Sequence, residues 1–569
     1  MADNRWTSEQ SDAISTRGRR LLVSAAAGSG KTAVLVERII GRILDPVDPV
    51  DVDELLVITF TRAAAAEMKE RIRRRLEEAI TAARDDTKSR SASCAGTQAK
   101  SSEDSCVSSQ VSWETSVLNE HAFANLASAT SDMKPRGVTW EDTHEAERDL
   151  ALAKRLREQL SILESAHIST IDSFCMDVVR DHTDELDIDP GFRVAQETEL
   201  KLMQEDVMEE LLEECYEKAD EDFIALVDAF GSGNTGDGVD ELIQRIYRFA
   251  QVTADPQKWY EKQIDDPQTE EVKTYVFAKL RELISSLIPA EERLLTICAS
   301  ENGPAAYAKT INSDIEKLDE LSYTGSFEEL HDRLHNLKFD TLARNKGEVD
   351  PVKLEAVKKA RGKIKETVMG YAAEYTREDI SMIDEESELT APFIAALVKL
   401  AREYDSRYSA KKREKNVVDF CDLEHMALKV LNETDEYKNK FREICVDEYQ
   451  DTNELQESLV RAIDKGQVFM VGDVKQSIYK FRQARPEIFM QKYETFGTLR
   501  GEGADVSDGC GAQTCTAPDT DALINLSRNF RSRKEVLEAS NALFRKIMRK
   551  EVPSANRWKQ SMRRRNFCW

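Results

Sequence analysis

The sequence lacks long hydrophobic runs and paired cysteines. No stretch approaches the roughly 18 consecutive apolar residues that a membrane-spanning helix requires. The polar residues 1–20 have no apolar centre of the kind found in signal peptides. The ten cysteines stand singly, without a C-x-x-C pair, which fits a reducing compartment better than a disulfide framework. We therefore expect a cytoplasmic protein that has no membrane partner.

Aromatic and basic residues are also scarce. Aromatics make up 7% of the 569 residues, and 80 Lys and Arg against 106 Asp and Glu give a formal net charge of −26. This acidic balance argues against a generic basic nucleic-acid coat, but it is compatible with a local basic groove because net charge does not say where charges lie. Hydrophobic residues at 41% supply several buried cores. The length predicts about three to five domains.

The beginning of the chain alternates between strand and helix patterns. Apolar strands and amphipathic helices are predicted in turn at 20–25, 32–44, 55–60 and 63–82. A strand, loop, helix and strand in this order is typical of a parallel sheet. Further strands are predicted at 441–446 and 468–471. The fold class is therefore predicted to be α/β.

Composition divides the chain into five segments. They are a first α/β part at 1–185, a helical insertion domain at 186–435, a second α/β part at 436–498, a flexible loop at 499–521 and a further α/β start at 522–569. Residues 86–117 are serine-rich and without periodicity, which predicts a disordered surface insert. Cys510 and Cys515 lie in the loop without a nearby His or third Cys, which favours a surface loop over a metal site.

A loop of small residues follows the first predicted strand. It reads Ala25-Ala26-Ala27-Gly28-Ser29-Gly30-Lys31-Thr32. Small residues let the backbone wrap a phosphate with its N–H groups pointing inward, and the helix N-terminus that follows favours anions. Lys31 would reach the β/γ-phosphates and the Thr32 hydroxyl would bind Mg²⁺. Ala25 stands where the strict pattern has Gly, but Gly28 and Gly30 supply the flexibility.

Two adjacent acids follow a later strand. Asp447 and Glu448 come directly after the apolar residues 444–446, and the carboxyl ends of parallel strands are where such sheets present ligands. Asp447 would hold Mg²⁺, directly or through water, and Glu448 would orient and deprotonate an attacking water. Loop and acids together predict a P-loop ATPase or GTPase. Gln10 precedes the first strand, and its amide can pair with the edge of adenine.

Six blocks along the chain occur in the order of one known family. They are 25–32, 58–68, 168–175, 447–451, 471–482 and 529–532. With these blocks the sequence resembles superfamily-1 DNA helicases of the UvrD/Rep type. Lys475 before Gln476, together with residues 418–425, makes it most similar within that family to the AddA-like (RexA-like) helicase/nuclease subunits, which are related to RecB.

The resemblance implies an architecture. It would comprise a RecA-like P-loop NTPase domain, a large helical insertion domain and the truncated start of a second RecA-like domain. The chain would correspond to the N-terminal part of an AddA-like protein, ending before the later helicase motifs and the nuclease domain.

The resemblance also implies roles for individual residues. Gln10 would read adenine, Gln476 would sense the γ-phosphate, and Arg531 would be an arginine finger from the second motor domain. The residues that would line a single-strand groove are Phe60, Thr61, Thr170, Tyr479, Phe481 and Arg482. Aromatic rings stack on bases of any sequence, although core packing is the alternative interpretation for the two aromatics of the last block. The basic run Arg71, Arg73, Arg74 and Arg75 either touches phosphates or, as we favour, forms a solvated helix face.

Three functional hypotheses follow. The resemblance implies an ATP- and Mg²⁺-dependent 3′→5′ DNA helicase that acts on single-stranded DNA and duplex ends in double-strand-break repair, paired with an AddB/RexB-like subunit. The alternatives are a UvrD-like repair helicase without nuclease partners, and a truncated remnant that binds DNA or a partner without turnover. The remnant is disfavoured because five chemistry-bearing residues are all intact: Lys31, Asp447, Glu448, Gln476 and Arg531.

Overall fold

The computed structural model describes most of the chain. The described residues are 6–96, 140–218, 221–230, 238–265, 269–345, 347–375, 381–478, 483–499 and 521–547. Within them the protein is an α/β structure built on one parallel sheet, which confirms the predicted fold class. Most of the predicted loop at 499–521, with Cys510 and Cys515, lies outside these residues. The same holds for Tyr479, Phe481 and Arg482.

The strands of the described residues form two parallel sheets. In chain order they are β1 (Leu21–Ala25), β2 (Leu55–Thr59), β3 (Ile168–Thr170), β4 (Arg193–Val194), β5 (Val417–Val418), β6 (Glu443–Val446), β7 (Val468–Gly472), β8 (Gly497–Thr498) and β9 (Ala522–Leu526). Seven of them form the main sheet in the order β3-β2-β6-β7-β1-β9-β8, and β4 pairs with β5. Its central strands are buried along their whole length, as expected for a parallel sheet covered on both faces.

Helices cover both faces of the main sheet and fill the insertion. Those before the insertion are α1 (Ser8–Ser15), α2 (Lys31–Ile43), α3 (Arg62–Gly96), α4 (Trp140–Ile162), α5 (Ile171–Asp181) and α6 (Thr183–Leu186). The next are α7 (Glu197–Lys218), α8 (Glu221–Phe230), α9 (Val239–Gln251), α10 (Pro256–Asp265), α11 (Thr269–Cys298), α12 (Ala308–Ser322), α13 (Phe327–His335), α14 (Pro351–Tyr375) and α15 (Ser381–Glu414). The last are α16 (Phe420–Glu433), α17 (Glu436–Lys440), α18 (Glu454–Ile463), α19 (Pro486–Thr495) and α20 (Lys534–Ile547).

Short 3₁₀ helices complete the described elements. They are Val52–Glu54, Ala305–Tyr307, Tyr449–Asp451 and Val474–Gln476. No helix in the described part of the chain is both long enough and apolar enough to cross a membrane.

The main sheet separates two hydrophobic cores. Successive side chains of a strand point to opposite faces, and in β1 Leu22 enters one core while Leu21 and Val23 enter the other. The second core receives the apolar face of α2, including Leu35 and Ile39. Packing on both faces holds the strand ends, and therefore the loops that follow them, in fixed positions.

The first long helix runs further than the sequence predicted. It was expected at 63–82, whereas α3 continues to Gly96 and so enters the segment predicted to be disordered. The physical reason is that no glycine or proline occurs between Arg62 and Gly96 to end the helix. The remainder of the predicted insert, residues 97–117, lies outside the described residues.

The helical insertion contains two hydrophobic cores of its own. One brings together α7–α10 and α15, with Tyr260, Tyr404 and Tyr408 fully buried. The other is built from α11–α14. Where the insertion begins and ends, β4 and β5 pair in parallel, with Arg193 opposite Val417. This pairing brings the two ends of the insertion together.

Two boundaries differ from those predicted. The insertion was expected to reach residue 435, but α16 packs into a core of the main sheet through Leu423, Ala427 and Leu431. A second domain was expected to begin at 522, but β9 pairs with β1, with Leu21 opposite Ala522. Both errors have one cause: an apolar helix face or strand shows that it will be buried, but its sequence does not say against which partner.

Candidate functional site

The loop between β1 and α2 has the backbone shape of a phosphate cradle. Gly28 and Gly30 have φ angles of 76° and 87°, a conformation that glycine adopts without strain. Gly30 is the N-cap of α2 and offers no side-chain cap to the first turn of the helix. N–H groups at such an end are available to an anion. The local geometry therefore fits a bound phosphate.

Gln10 lies behind this loop and is only 4% exposed. Its Oε1 accepts a hydrogen bond from the Thr7 backbone N–H at 3.0 Å. Its Nε2 donates to the Ser29 carbonyl oxygen, also at 3.0 Å. One N–H and one lone pair remain on the amide for a further partner. The sequence suggested contact with adenine for Gln10, but not this contact with the loop.

Lys31 and Glu448 meet across the site. The Lys31 Nζ lies 2.8 Å from the Glu448 Oε2. Glu448 follows β6 and has a φ of 50°, which is uncommon for a residue other than glycine and recurs at functional sites. Its N–H donates to the Asp447 Oδ1 at 3.0 Å, and the Asp447 N–H donates to the Ile58 carbonyl oxygen at 2.9 Å. The acid pair is thus attached to the strand next to β6.

The acids near the loop have raised pKa values. Burial raises the pKa of Asp447 to about 6, the charge of Glu448 adds to the rise, and Lys31 opposes it. Burial likewise raises the pKa of Asp451 to about 6. Two acids held this way indicate a site short of positive charge, which a cation would supply.

The residues present fit a magnesium ion. Mg²⁺ takes oxygen ligands and commonly keeps several waters, using one or two protein groups beside phosphate oxygens. The Thr32 hydroxyl and the Asp447 carboxylate are donors of this kind. Among the described residues, no group of three or more His, Cys, Asp or Glu could hold a metal by itself. A cation here would therefore depend on a phosphate ligand as well.

A chain of hydrogen bonds connects Glu448 to Gln476. The Gln450 Nε2 donates to the Glu448 Oε2 at 3.0 Å, and the Gln450 Oε1 accepts from the Asp473 N–H at 2.8 Å. The Asp473 Oδ2 then accepts from the Gln476 Nε2 at 2.7 Å. Sequence reasoning singled out the two ends of this chain and missed Gln450 and Asp473. Their signal was their position, since each follows a buried strand within a matching block.

One cavity of about 330 Å³ brings most of the predicted nucleotide residues together. The predicted residues in its walls are Ala27, Gly28, Gly30, Lys31, Thr32, Glu448, Gln476 and Arg531. Arg71 also lines it, although we favoured a solvated helix face for its basic run. The other arginines largely fit that interpretation: Arg73 pairs with Glu70, and Arg75 pairs with Glu37. The cavity thus gathers side chains from segments hundreds of residues apart.

The predicted single-strand residues are only partly described. Thr59 lies opposite Thr170 in the register of β2 and β3, so Phe60, Thr61 and Thr170 share one edge of the sheet. Both threonine hydroxyls accept backbone hydrogen bonds that begin helices: Thr170 from Ser173, and Thr61 from Ala64. The Thr170 side chain is mostly buried. Tyr479, Phe481 and Arg482 lie outside the described residues.

A phosphate-cradle loop after one strand of a parallel sheet, facing an acid pair after another, defines a P-loop NTPase. The UvrD/REP helicase N-terminal domain model matches residues 6–497. The chain therefore belongs to the UvrD/REP helicase family.

Relatives within this family are named as the larger, ATP-dependent component of a helicase/nuclease. The ATP-dependent helicase/nuclease protein of this kind from Alkaliphilus oremlandii is 35% identical over 568 residues, covering 96% of this chain and 40% of the relative. Its namesake from Bacillus pumilus is 34% identical over 576 residues, again covering 96% and 40%. That of Listeria monocytogenes is 33% identical over 574 residues with the same coverage. The chain thus spans about two fifths of the length of these relatives.

Proposed function

We propose that the cavity binds ATP with Mg²⁺ and hydrolyses it to drive movement along single-stranded DNA. The observation that carries this proposal is the meeting of Lys31 and Glu448 at 2.8 Å, in a cavity that Gln476 and Arg531 also line. Each of these groups has a use in phosphoryl transfer, and together they leave no other chemistry as well served.

The proposed roles follow from charge and position. Loop N–H groups between Ala25 and Thr32 and the Lys31 ammonium bind the phosphates. Thr32 and Asp447 hold the metal, which when bound neutralises charge on the phosphates. Gln10 pairs with adenine through the N–H and lone pair that the protein leaves unused.

Hydrolysis is proposed to begin with an exchange of partners. The Lys31 ammonium leaves the Glu448 carboxylate for the β/γ-phosphates. The carboxylate then accepts a proton from the attacking water. Gln476 contacts the γ-phosphate and Arg531 stabilises the charge that develops on it. Because Gln476 is bonded through Asp473 and Gln450 to Glu448, a change at the γ-phosphate is transmitted to the base.

For DNA, we propose a 3′→5′ helicase motor that loads at duplex ends. Phe60, Thr61, Thr170, Tyr479, Phe481 and Arg482 form the proposed single-strand groove. The name of the relatives supports an AddA-like role with an AddB/RexB-like partner, in the cytoplasm, in double-strand-break repair and recombination. The proposed layout is a RecA-like motor unit interrupted by the helical insertion domain, with the segment after residue 526 leading towards a second motor domain.

Steady-state ATP hydrolysis by the chain, with and without single-stranded DNA, tests the proposal. We expect DNA-stimulated turnover that Lys31→Ala lowers at least about 100-fold, because the lysine stabilises transferring phosphate charge. Lys154→Ala is the matched control, since this lysine is 78% exposed on α4. Turnover that survives Lys31→Ala would contradict the assigned site. Nucleotide binding without any turnover would contradict the enzyme assignment. Unwinding of 3′-tailed over 5′-tailed duplexes tests the polarity.

A further inference from the structure

Three successive carbonyls of the phosphate loop are each held from outside the loop. The Asn529 Nδ2 donates to the Ala27 carbonyl oxygen at 2.7 Å. The Phe530 backbone N–H donates to the Gly28 carbonyl oxygen at 2.8 Å. The Gln10 Nε2 donates to the Ser29 carbonyl oxygen at 3.0 Å. Two segments far apart in the chain therefore grip the same short stretch of backbone.

Holding these carbonyls orients the N–H groups on the other side of the loop. In a planar trans peptide the C=O and N–H bonds point in opposite directions. The bond to the Ala27 carbonyl consequently sets the direction of the Gly28 N–H. A loop whose N–H groups already point at a phosphate loses less free energy in ordering when the phosphate binds.

The other end of the Asn529 side chain organises the segment that carries Arg531. The Asn529 Oδ1 accepts hydrogen bonds from the Arg531 and Ser532 N–H groups, both at 2.9 Å. The Asn529 amide thus joins the loop to the backbone of Arg531, whose side chain lines the cavity.

Gly28 shows how closely the two segments approach. A Cβ at this position would lie 2.9 Å from the Arg531 Cβ and 2.9 Å from the amide atoms of Asn529. Only glycine leaves room for this contact, and the φ of 76° independently favours glycine. The approach of loop and segment is therefore part of the fold.

We propose that Asn529 is a positioning residue that couples the phosphate loop to Arg531. Its N–H holds the Ala27 carbonyl, and its Oδ1 sets the backbone from which Arg531 reaches the γ-phosphate. This inference rests on the proposed function of the cavity. It makes the distinction between ATP and ADP depend on a side chain that need not touch the nucleotide.

The test measures dissociation constants of Mg·ATPγS and Mg·ADP by calorimetry on the full chain. The readout is the ratio of the two constants, which reports recognition of the γ-phosphate. Arg531→Ala sets the ratio expected when that recognition is lost. Asn529→Ala is expected to change the ratio as Arg531→Ala does, and the double variant is expected to change it no further, since the two residues act as one unit. Lys534→Ala, 83% exposed on α20, is the control.

Asn529→Asp separates the two halves of the role. Aspartate keeps an oxygen that accepts from Arg531 and Ser532, but it loses the N–H that holds Ala27. We expect both nucleotides to bind about fivefold more weakly, the value of one net hydrogen bond, with their ratio unchanged.

Several outcomes overturn the inference. An unchanged ratio in Asn529→Ala would mean that the residue only supports the fold. Additive effects in the double variant would mean that Asn529 and Arg531 act separately. If Lys31→Ala weakened neither nucleotide, the proposed function itself would fail, and that result is distinguishable from the other two.

Discussion

The Lys31 ammonium lies 2.8 Å from the Glu448 carboxylate, although 417 positions separate the two residues in the chain. The phosphate loop brings one and the end of β6 brings the other. In this arrangement each satisfies the charge of its partner. A phosphate that claims the lysine releases the carboxylate, so substrate binding and activation of the base are joined in one ion pair.

We expect Glu448→Gln to bind ATP as tightly as the unaltered chain, while turnover falls at least about 100-fold. Glutamine keeps the shape and hydrogen bonding of the side chain but cannot accept a proton from water at neutral pH. Fluorescent-nucleotide binding and steady-state hydrolysis, measured on one preparation, check both parts. Glu494→Gln, exposed on α19, should change neither. Retained turnover would remove Glu448 from the role of base.

Gln10→Ala should weaken ATP binding more than GTP binding. Both nucleotides lose the support that the Gln10 amide gives to the Ser29 carbonyl, but only ATP also loses a partner for its base edge. Competition binding with the two nucleotides measures the ratio, with Gln491→Ala, exposed on α19, as the control. Equal losses would mean that Gln10 holds the loop without reading the base.

Lys412→Met should lower the free energy of unfolding by about 3–5 kcal/mol, because it leaves two buried acids without their cation. The Lys412 side chain is 4% exposed, and its Nζ lies 2.7 Å from both Asp419 and Asp422. It thereby ties the end of α15, in the insertion, to the start of α16, in the motor core.

The matched control is Lys411→Met. The Lys411 side chain is 28% exposed and lies 3.4 Å from Glu210, so its loss should cost less than about 1 kcal/mol. Chemical denaturation of both variants measures the difference. Equal destabilisation by the two substitutions would show that the buried lysine does not brace this junction.

Stability should fall as pH rises from about 4.5 to 7 through the titration of Glu291. Glu291 is fully buried, and neither carboxylate oxygen has a hydrogen-bond partner among the described residues. Burial raises its pKa from 4.5 to about 7, the charge of Asp314 adds to the rise, and Arg361 opposes it. In that window the folded state keeps a proton that the unfolded state releases, so folding weakens by up to about 3 kcal/mol.

Glu291→Gln tests this dependence because glutamine stays neutral throughout. Relative to the unaltered chain, the variant should be more stable at pH 8 than at pH 5, and any fixed effect of the amide cancels in that comparison. Glu292→Gln, exposed at the next position, should show no such difference. Urea unfolding at the two pH values supplies the measurement. A parallel shift at both values would contradict a buried, protonated Glu291.

Much of the fold and site was predictable because the relevant signals are local. The loop 25–32 carries its glycines and lysine within one turn between a strand and a helix. Asp447 and Glu448 directly follow a buried strand, so their place at the sheet edge is set by adjacency in the chain. Apolar spacing likewise marked β1, β2, β6 and β7 to within a few residues.

The partners of these local elements could be decided only by the tertiary structure. The sequence of β9 shows a strand that must be buried, but its place beside β1 depends on which edge the folded sheet leaves open. The helical period of α16 shows an apolar face, yet the main sheet and not the insertion covers it.

The same division holds at the site. Gln10, Asn529 and Arg531 could each be read as polar residues near motifs, but which carbonyls or N–H groups they engage depends on segments distant in sequence. Residue types and spacings are therefore determined by the sequence itself. Contacts between distant segments are determined by packing, because burial of apolar surface and satisfaction of buried polar groups are properties of the whole folded chain.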